Sequence, residues 1–206
     1  MIGEVILVPG LWNPSGVLWP LAARLRRAGY APHVFSYRGR ASFDANVERL
    51  ARFTRETLGP RAAHFIGHSL GGVLVLETLT RNADIPCASA LLIASPVRGS
   101  LAGRRFGRAR FGRWMMGASA ACWEPRVARW NRAAPLGVLA GSVAIGLGRM
   151  VGGGLPGVND GVVRLEETEV EGMAASKLVP QAHSWMPVSP AVARLSERFL
   201  QSGSFE

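Results

Sequence analysis

The stretch that most constrains this chain runs from residue 62 to residue 80, Ala-Ala-His-Phe-Ile-Gly-His-Ser-Leu-Gly-Gly-Val-Leu-Val-Leu-Glu-Thr-Leu-Thr. Ala63 to Ile66 is a short apolar run that reads as a buried strand, and Val73, Leu76, Leu79 and Thr80 follow in a helical pattern. Between them lies Gly67-His68-Ser69-Leu70-Gly71-Gly72. A strand that becomes a helix within so few residues needs a tight turn with strained backbone angles at the serine. Gly67 and Gly71 lack the Cβ atoms that would collide as neighbouring backbone closes in. Such a turn lifts the Ser69 hydroxyl above the sheet and points the start of the helix at the atom reacting there.

The rest of the chain supplies the sheet that this turn requires. Glu4 to Val8 reads as a parallel strand covered on both faces, followed by a turn-rich loop, Pro9 to Gly16. Val17 to Ala28 has a helical pattern with Leu18, Leu21, Ala22 and Leu25 on one face and Gly29 as its stop. Pro32 to Tyr37 is a second strand. Ser42 is placed to cap a helix from Phe43 to Leu58, which Gly59-Pro60 ends. Ala88 to Ala94 is another buried strand, Leu136 to Leu147 contains the next, and Lys177 to Pro180 is a short late one. Pro190 opens a last helix with Val192, Leu195, Phe199 and Leu200 inward. This alternation predicts an α/β fold with a mostly parallel sheet of about six strands, flanked by helices and joined by right-handed crossovers.

The alternation fails between Val97 and Pro135. That span mixes Arg104, Arg105, Arg108, Arg110 and Arg113 with Phe106, Phe111, Trp114, Met115 and Met116, and offers a short helix at Val127 to Ala133. It is long for a simple connection, so it is expected to form a small cap or lid, residues 97–135, within a single domain spanning 1–206. An anion- or lipid-contacting surface is the second reading of its arginines and aromatics.

At 206 residues and 48% hydrophobic content the chain suits one globular domain. The net charge is +10, and Lys177 is the sole lysine, so the basic character comes from arginine. No zinc-finger spacing or nucleic-acid motif accompanies the charge, and nucleic acid is not an expected partner. Cys87 and Cys122 form no Cys-x-x-Cys pair, so neither a metal nor a redox motif is suggested, and they are expected to be free buried thiols. The start Met1-Ile2-Gly3-Glu4 has no basic region before its apolar stretch, and no run reaches membrane-spanning length. The expectation is a cytoplasmic protein.

A serine hydroxyl is a poor nucleophile until a base in hydrogen-bond reach takes its proton and a carboxylate orients that base. In the proteins whose strand–Ser–helix turn this one resembles, the partners follow in the order Ser, acid, His. Of the four histidines, His33 and His64 precede Ser69 in or beside strands, and His68 adjoins it with its side chain turned away from the hydroxyl. His183, on a loop before the final helix, remains as the base. The acid must lie between Ser69 and His183. Glu77 is two turns into the helix, Asp84 is at the wrong end of its strand, and Glu166 to Glu171 reads as a solvated loop; Glu124 lacks the context. Asp160, in Asn-Asp-Gly-Val-Val after a glycine-rich loop, fits. Two backbone N–H groups must hold the developing oxyanion. Leu70, directly after the serine, and Leu11, in the loop after the first strand, are the expected pair, with Trp12 as a neighbour to Leu11.

Taken together, Val-Pro-Gly-Leu at 8–11, Gly-His-Ser-Leu-Gly-Gly at 67–72, Ser-Pro-Val-Arg-Gly-Ser at 95–100, Asn-Asp-Gly-Val-Val at 159–163 and His183 resemble the small bacterial lipases and esterases of the α/β-hydrolase fold. The resemblance spans nearly the whole chain. It implies a Ser69–His183–Asp160 triad, an acyl-enzyme intermediate and no metal or organic cofactor. Pro9 stands where such lipases usually carry a histidine, so the loop at 9–11 must be supported differently. The resulting expectation is a hydrolase of carboxylic esters acting on a small acyl ester or thioester. Trp12, Trp185 and Met186 are candidate substrate contacts. The basic cap is a candidate weak contact for anionic lipid or an acyl carrier. Acyl transfer or thioester cleavage by the same triad, and a non-catalytic scaffold that binds a ligand or partner, are the alternatives.

Overall fold

Val5, Ile6, Leu7 and Val8 are all fully buried, as a strand sandwiched between two helical layers must be. In the computed structural model, which describes residues 2–11, 15–146 and 154–206, they belong to β1 (Gly3–Val8) at the inside of a six-stranded parallel sheet. The other strands are β2 (Tyr30–Val34), β3 (Ala63–His68), β4 (Cys87–Ile93), β5 (Leu136–Gly141) and β6 (Ala175–Val179), in the spatial order β2-β1-β3-β4-β5-β6. Strand alternation divides the core. Ile6, Val8, Phe65, Leu92 and Val138 face one side, where α2 (Phe43–Leu58) and α3 (Leu70–Arg81) pack through Leu50, Leu74 and Leu79. Val5, Leu7, Ile66, Leu91, Ile93 and Leu139 face the other, covered by α1 (Trp19–Arg27) and α6 (Pro190–Ser202) through Leu21, Leu25 and Phe199.

The strand order reverses direction between β1 and β3. At such a switch point the loops leaving the two strands diverge to opposite faces and open a crevice beyond their C-terminal ends. β1 ends at Val8 and β3 at His68, so the loop at 9–11 and Ser69 border the same crevice.

The caps agree with the residues that precede each helix. Ser42 Oγ accepts the Ala45 N–H at 3.2 Å. Ser189 caps α6, with Pro190 in its first turn, where the missing N–H costs nothing. The second strand lies earlier than Pro32–Tyr37, at Tyr30–Val34, and Phe35 N–H still bonds to Leu7 O at 2.9 Å beyond it.

Between β4 and β5 the chain forms α4 (Leu101–Arg108), α5 (Arg110–Met116) and a 3-10 helix (Gly117–Trp123). The expected helix at Val127–Ala133 is absent. Ala128 and Trp130 are buried while Val127 and Arg129 are exposed, a two-residue alternation that marks extended chain. Trp130 N–H donates to Glu171 O and Glu171 N–H to Ala128 O, both at 2.8 Å.

The acidic stretch at 166–171 is correspondingly solvated only in part, with Glu166, Glu169 and Glu171 exposed but Glu167 not. Glu167 is buried, and its Oε1 accepts the Leu101 N–H at 2.7 Å, at the start of α4. There a carboxylate meets N–H groups that have no acceptor within the helix. Arg98–Glu169 and Arg129–Glu171 ion pairs add two further ties between this stretch and the inserted segment. Sequence spacing does not reveal these pairings, because their partners lie more than 40 residues apart.

Candidate active site

Ser69 sits between β3 and α3 with φ 54° and ψ −126°. Among the described residues only Ala94, just past the end of β4, is another non-glycine residue with positive φ. A side chain in that region costs about 1–3 kcal/mol and is held there only by surrounding structure. Here the Ser69 N–H donates to Ile93 O at 2.9 Å, tying the apex to the neighbouring strand.

The two glycines of the turn are needed for close approach. A Cβ on Gly67 would press into the backbone of Gly71 and Gly72, and one on Gly71 into the carbonyl oxygens of Val8 and Pro9. Gly71 is therefore what allows the loop after β1 to lie against the serine turn. Gly71→Ala is expected to destabilise the fold by about 2 kcal/mol despite alanine's better helix propensity, because the obstructing atoms are backbone and cannot rotate away. Urea unfolding would read the loss, and a midpoint equal to wild type would contradict it.

Tyr37 supplies the support that Pro9 implied. Its hydroxyl donates to Pro9 O at 3.1 Å. Burial pushes the phenol far above its ordinary range, so it remains a donor at any working pH. Sequence reading missed this residue because the pairing joins a loop to the chain beyond β2, 28 positions apart.

The structure brings Ser69, His183 and Asp160 together. His183 Nε2 lies 3.0 Å from Ser69 Oγ, and His183 Nδ1 lies 2.8 Å from Asp160 Oδ2. A carboxylate can only accept, so Nδ1 carries the proton and Nε2 accepts from the serine hydroxyl. Asp160 is 1% exposed. Its Oδ1 accepts the Val162 N–H at 2.9 Å and the Val163 N–H at 2.7 Å, which leaves Oδ2 aimed at the imidazole. The backbone repeats the link, His183 N–H donating to Asp160 O at 2.9 Å. Asn159 holds the loop's base: its Oδ1 accepts the Gly161 N–H, and its Nδ2 donates to Leu155 O and Gly157 O.

His68 stands closer to this group than strand alternation beside Ser69 suggests. Its ring centroid is 4.9 Å from that of His183, and its Nε2 lies 3.3 Å from His183 O. His68 shares a strand face with Ile66, the face covered by α6, and the His183 loop leads directly into that helix. Burial, and then the nearby His183, hold the His68 imidazole well below its usual range. The neutral ring donates its Nε2 proton to the carbonyl and braces the loop on which His183 stands.

A cavity of about 240 Å³ opens beside Ser69 and His183, and Leu11 lines it. Its apolar wall comes from Phe106 and Met116 of α4 and α5, Trp123, and Val162 and Val163. These were not singled out as contacts in the sequence; only the long interruption between β4 and β5 hinted at them. Trp185 is 65% exposed, and Met186 is fully buried in the core beneath Gly141; neither lines the cavity. Trp12 lies outside the described residues. Leu70 opens α3, where the first N–H groups have no acceptor within the helix. No group of three or more potential metal ligands occurs among the described residues.

A parallel sheet of this order, with a serine on the turn after its third strand, defines the α/β hydrolases. The sequence matches the alpha/beta hydrolase family over residues 5–199, and the chain belongs to that family. Solved structures agree in fold. Phospholipase PlaB from Legionella pneumophila, solved in complex with thio-NAD, is 16% identical with a TM-score of 0.75 over 95% of this chain. This chain spans 55% of the phospholipase's length. The metagenomic carboxyl esterase MGS0156 is 18% identical with a TM-score of 0.72, over 97% of this chain and 76% of that one. The NocB thioesterase domain of the nocardicin cluster is 20% identical with a TM-score of 0.60, over 98% and 95%. No curated protein matches by sequence.

Proposed function

We propose that this chain is a serine hydrolase of carboxylic esters acting through an acyl-enzyme intermediate. The observation that carries the reading is the continuous hydrogen-bond path Ser69–His183–Asp160, at 3.0 and 2.8 Å. In the first half-reaction His183 Nε2 takes the Ser69 proton as Oγ attacks the acyl carbonyl carbon. The oxyanion that forms is held by the Leu11 and Leu70 N–H groups. Asp160 keeps the imidazole in the tautomer that accepts from Ser69 and stabilises the imidazolium. His183 then passes the proton to the departing alkoxide. In the second half, water loses a proton to His183 and attacks the acyl-enzyme, and Ser69 leaves with that proton. No metal or organic cofactor enters either step.

Residues 97–135 serve as a cap in this reading, since α4 and α5 supply the cavity wall opposite the serine. The cavity, at about 240 Å³, is below the usual range of small-molecule sites, about 300–1,000 Å³, and favours short acyl chains. Cys87 and Cys122 are not joined by a disulfide, and burial pushes both thiols up to about 12, so neither offers a thiolate nucleophile in place of Ser69.

A fluorophosphonate probe followed by peptide mapping tests the nucleophile: the adduct is expected on Ser69, and labelling elsewhere or none would remove the proposal. On p-nitrophenyl esters graded from acetate to palmitate, kcat/KM is expected to peak at short chains. A maximum at palmitate would show that the cavity does not hold the acyl group.

A further inference from the structure

The inserted segment has a second face that the cavity does not use. While Phe106 and Met116 turn toward Ser69, Phe111 and Trp114 on α5 point outward, 63% and 60% exposed. Their rings stack at a centroid distance of 6.0 Å, and the guanidinium of Arg40 lies over the Trp114 ring at 4.8 Å. Two large aromatic side chains side by side in water are a standing hydrophobic cost, which marks a contact surface.

The charge around them identifies what they contact. Residues 97–135 contain nine arginines and one acidic residue, Glu124. Arg108, Arg110 and Arg113 flank the aromatic pair and are exposed. Arg113 donates to a backbone carbonyl, Arg108 O, at 3.0 Å, a bond that leaves its charge in place. A face of this sign repels a second copy of itself and attracts an anionic partner. Exposed aromatics set among arginines suit an anionic bilayer, where the rings enter the headgroup boundary and the guanidinium groups meet lipid phosphates. An acidic protein would satisfy the charge but leave Phe111 and Trp114 without an apolar phase, and bases need ring faces to stack on, whereas these two rings are stacked on each other with Arg40 over Trp114.

We propose that the outer face of α5, Phe111 and Trp114 with Arg40, Arg108, Arg110 and Arg113, docks the protein on anionic membrane surfaces. The opposite faces of α4 and α5 line the cavity, so docking places the bilayer about one helix diameter, ~10 Å, from it. The inference does not depend on the hydrolase reading, because its test measures binding alone.

The experiment is co-sedimentation of the full chain with vesicles of phosphatidylcholine alone, or of phosphatidylcholine with phosphatidylglycerol. Binding is expected only to the anionic vesicles, and it should fall as salt rises, the screening length shrinking from about 10 Å at 0.1 M to about 3 Å at 1 M. Arg110→Glu with Arg113→Glu should weaken binding at least about 25-fold, from roughly a fivefold effect per charge removed. Phe111→Ser with Trp114→Ser should weaken it comparably. Neither pair lines the cavity, so short-ester turnover and the melting temperature report that each variant is folded.

Quenching of tryptophan emission by brominated lipid should drop in Trp114→Phe. Equal binding to neutral and anionic vesicles would overturn the proposal. So would an aromatic double variant that binds like wild type while the arginine variant does not, since that pattern belongs to a generic polyanion such as RNA.

Discussion

Ser69→Ala is expected to reduce kcat on a short p-nitrophenyl ester by about 10⁶-fold, and His183→Ala by a similar factor. The two losses should not multiply. In the proposed reaction Oγ attacks only as Nε2, 3.0 Å away, removes its proton, so either deletion would abolish the same step. The double variant should therefore retain about the activity of each single one. The residual rate over water would come from the proposed backbone donors at Leu11 and Leu70, which neither substitution touches. Steady-state kinetics on the three variants read this directly. A Ser69→Ala protein with substantial turnover, or a double variant far weaker than both singles, would mean that the two groups do not act as a unit.

The second large effect is expected from Asp160→Asn, about 10⁴-fold in kcat. Oδ1 receives the Val162 and Val163 N–H groups, so an asparagine would keep its oxygen there and turn its NH₂ toward His183. The imidazole would then have to accept at Nδ1 and carry its proton on Nε2, where it donates to Ser69 and cannot deprotonate it. The fold should be nearly unaffected, because the shape and the two backbone bonds are preserved. The diagnostic pattern is a large fall in kcat with little change in melting temperature. Near-normal turnover would move the acid role to another carboxylate. Glu167 is a poor substitute, because its two oxygens are taken up by the Leu101 N–H, the Arg164 N–H and the Arg164 guanidinium.

Much of the scaffold was legible because its causes are local. The α2 boundaries, Phe43–Leu58, follow from Ser42 as cap and Gly59 as stop, and the structure has those ends. Ser69 could be placed on a turn because strand, glycines and helix all lie within twenty residues. Errors occur where side chains far apart in sequence decide the outcome. Val127–Ala133 has helical composition, yet Glu171 offers it backbone partners and it stays extended. Glu167 looks solvated among its acidic neighbours, yet it is buried at the start of α4. Trp185 and Met186 neighbour His183 in sequence, but the 3-10 helix that carries them, His183–Val188, sends one into solvent and the other into the core.

The sequence alone thus determined the alternation of strands and helices, the turn at Ser69, and which histidine and carboxylate stand in the right order. Periodicity, glycine placement and capping act over a few residues, and composition carries them. Tertiary structure decided the rest: that Tyr37 rather than a histidine steadies the loop at Pro9, that His68 braces the His183 carbonyl, and that Phe106, Met116 and Trp123 wall the cavity. It also decided that α5 turns Phe111 and Trp114 to the outside. Each of these depends on where separate segments meet once the sheet has formed, and the spacing of residues along the chain does not encode that distance.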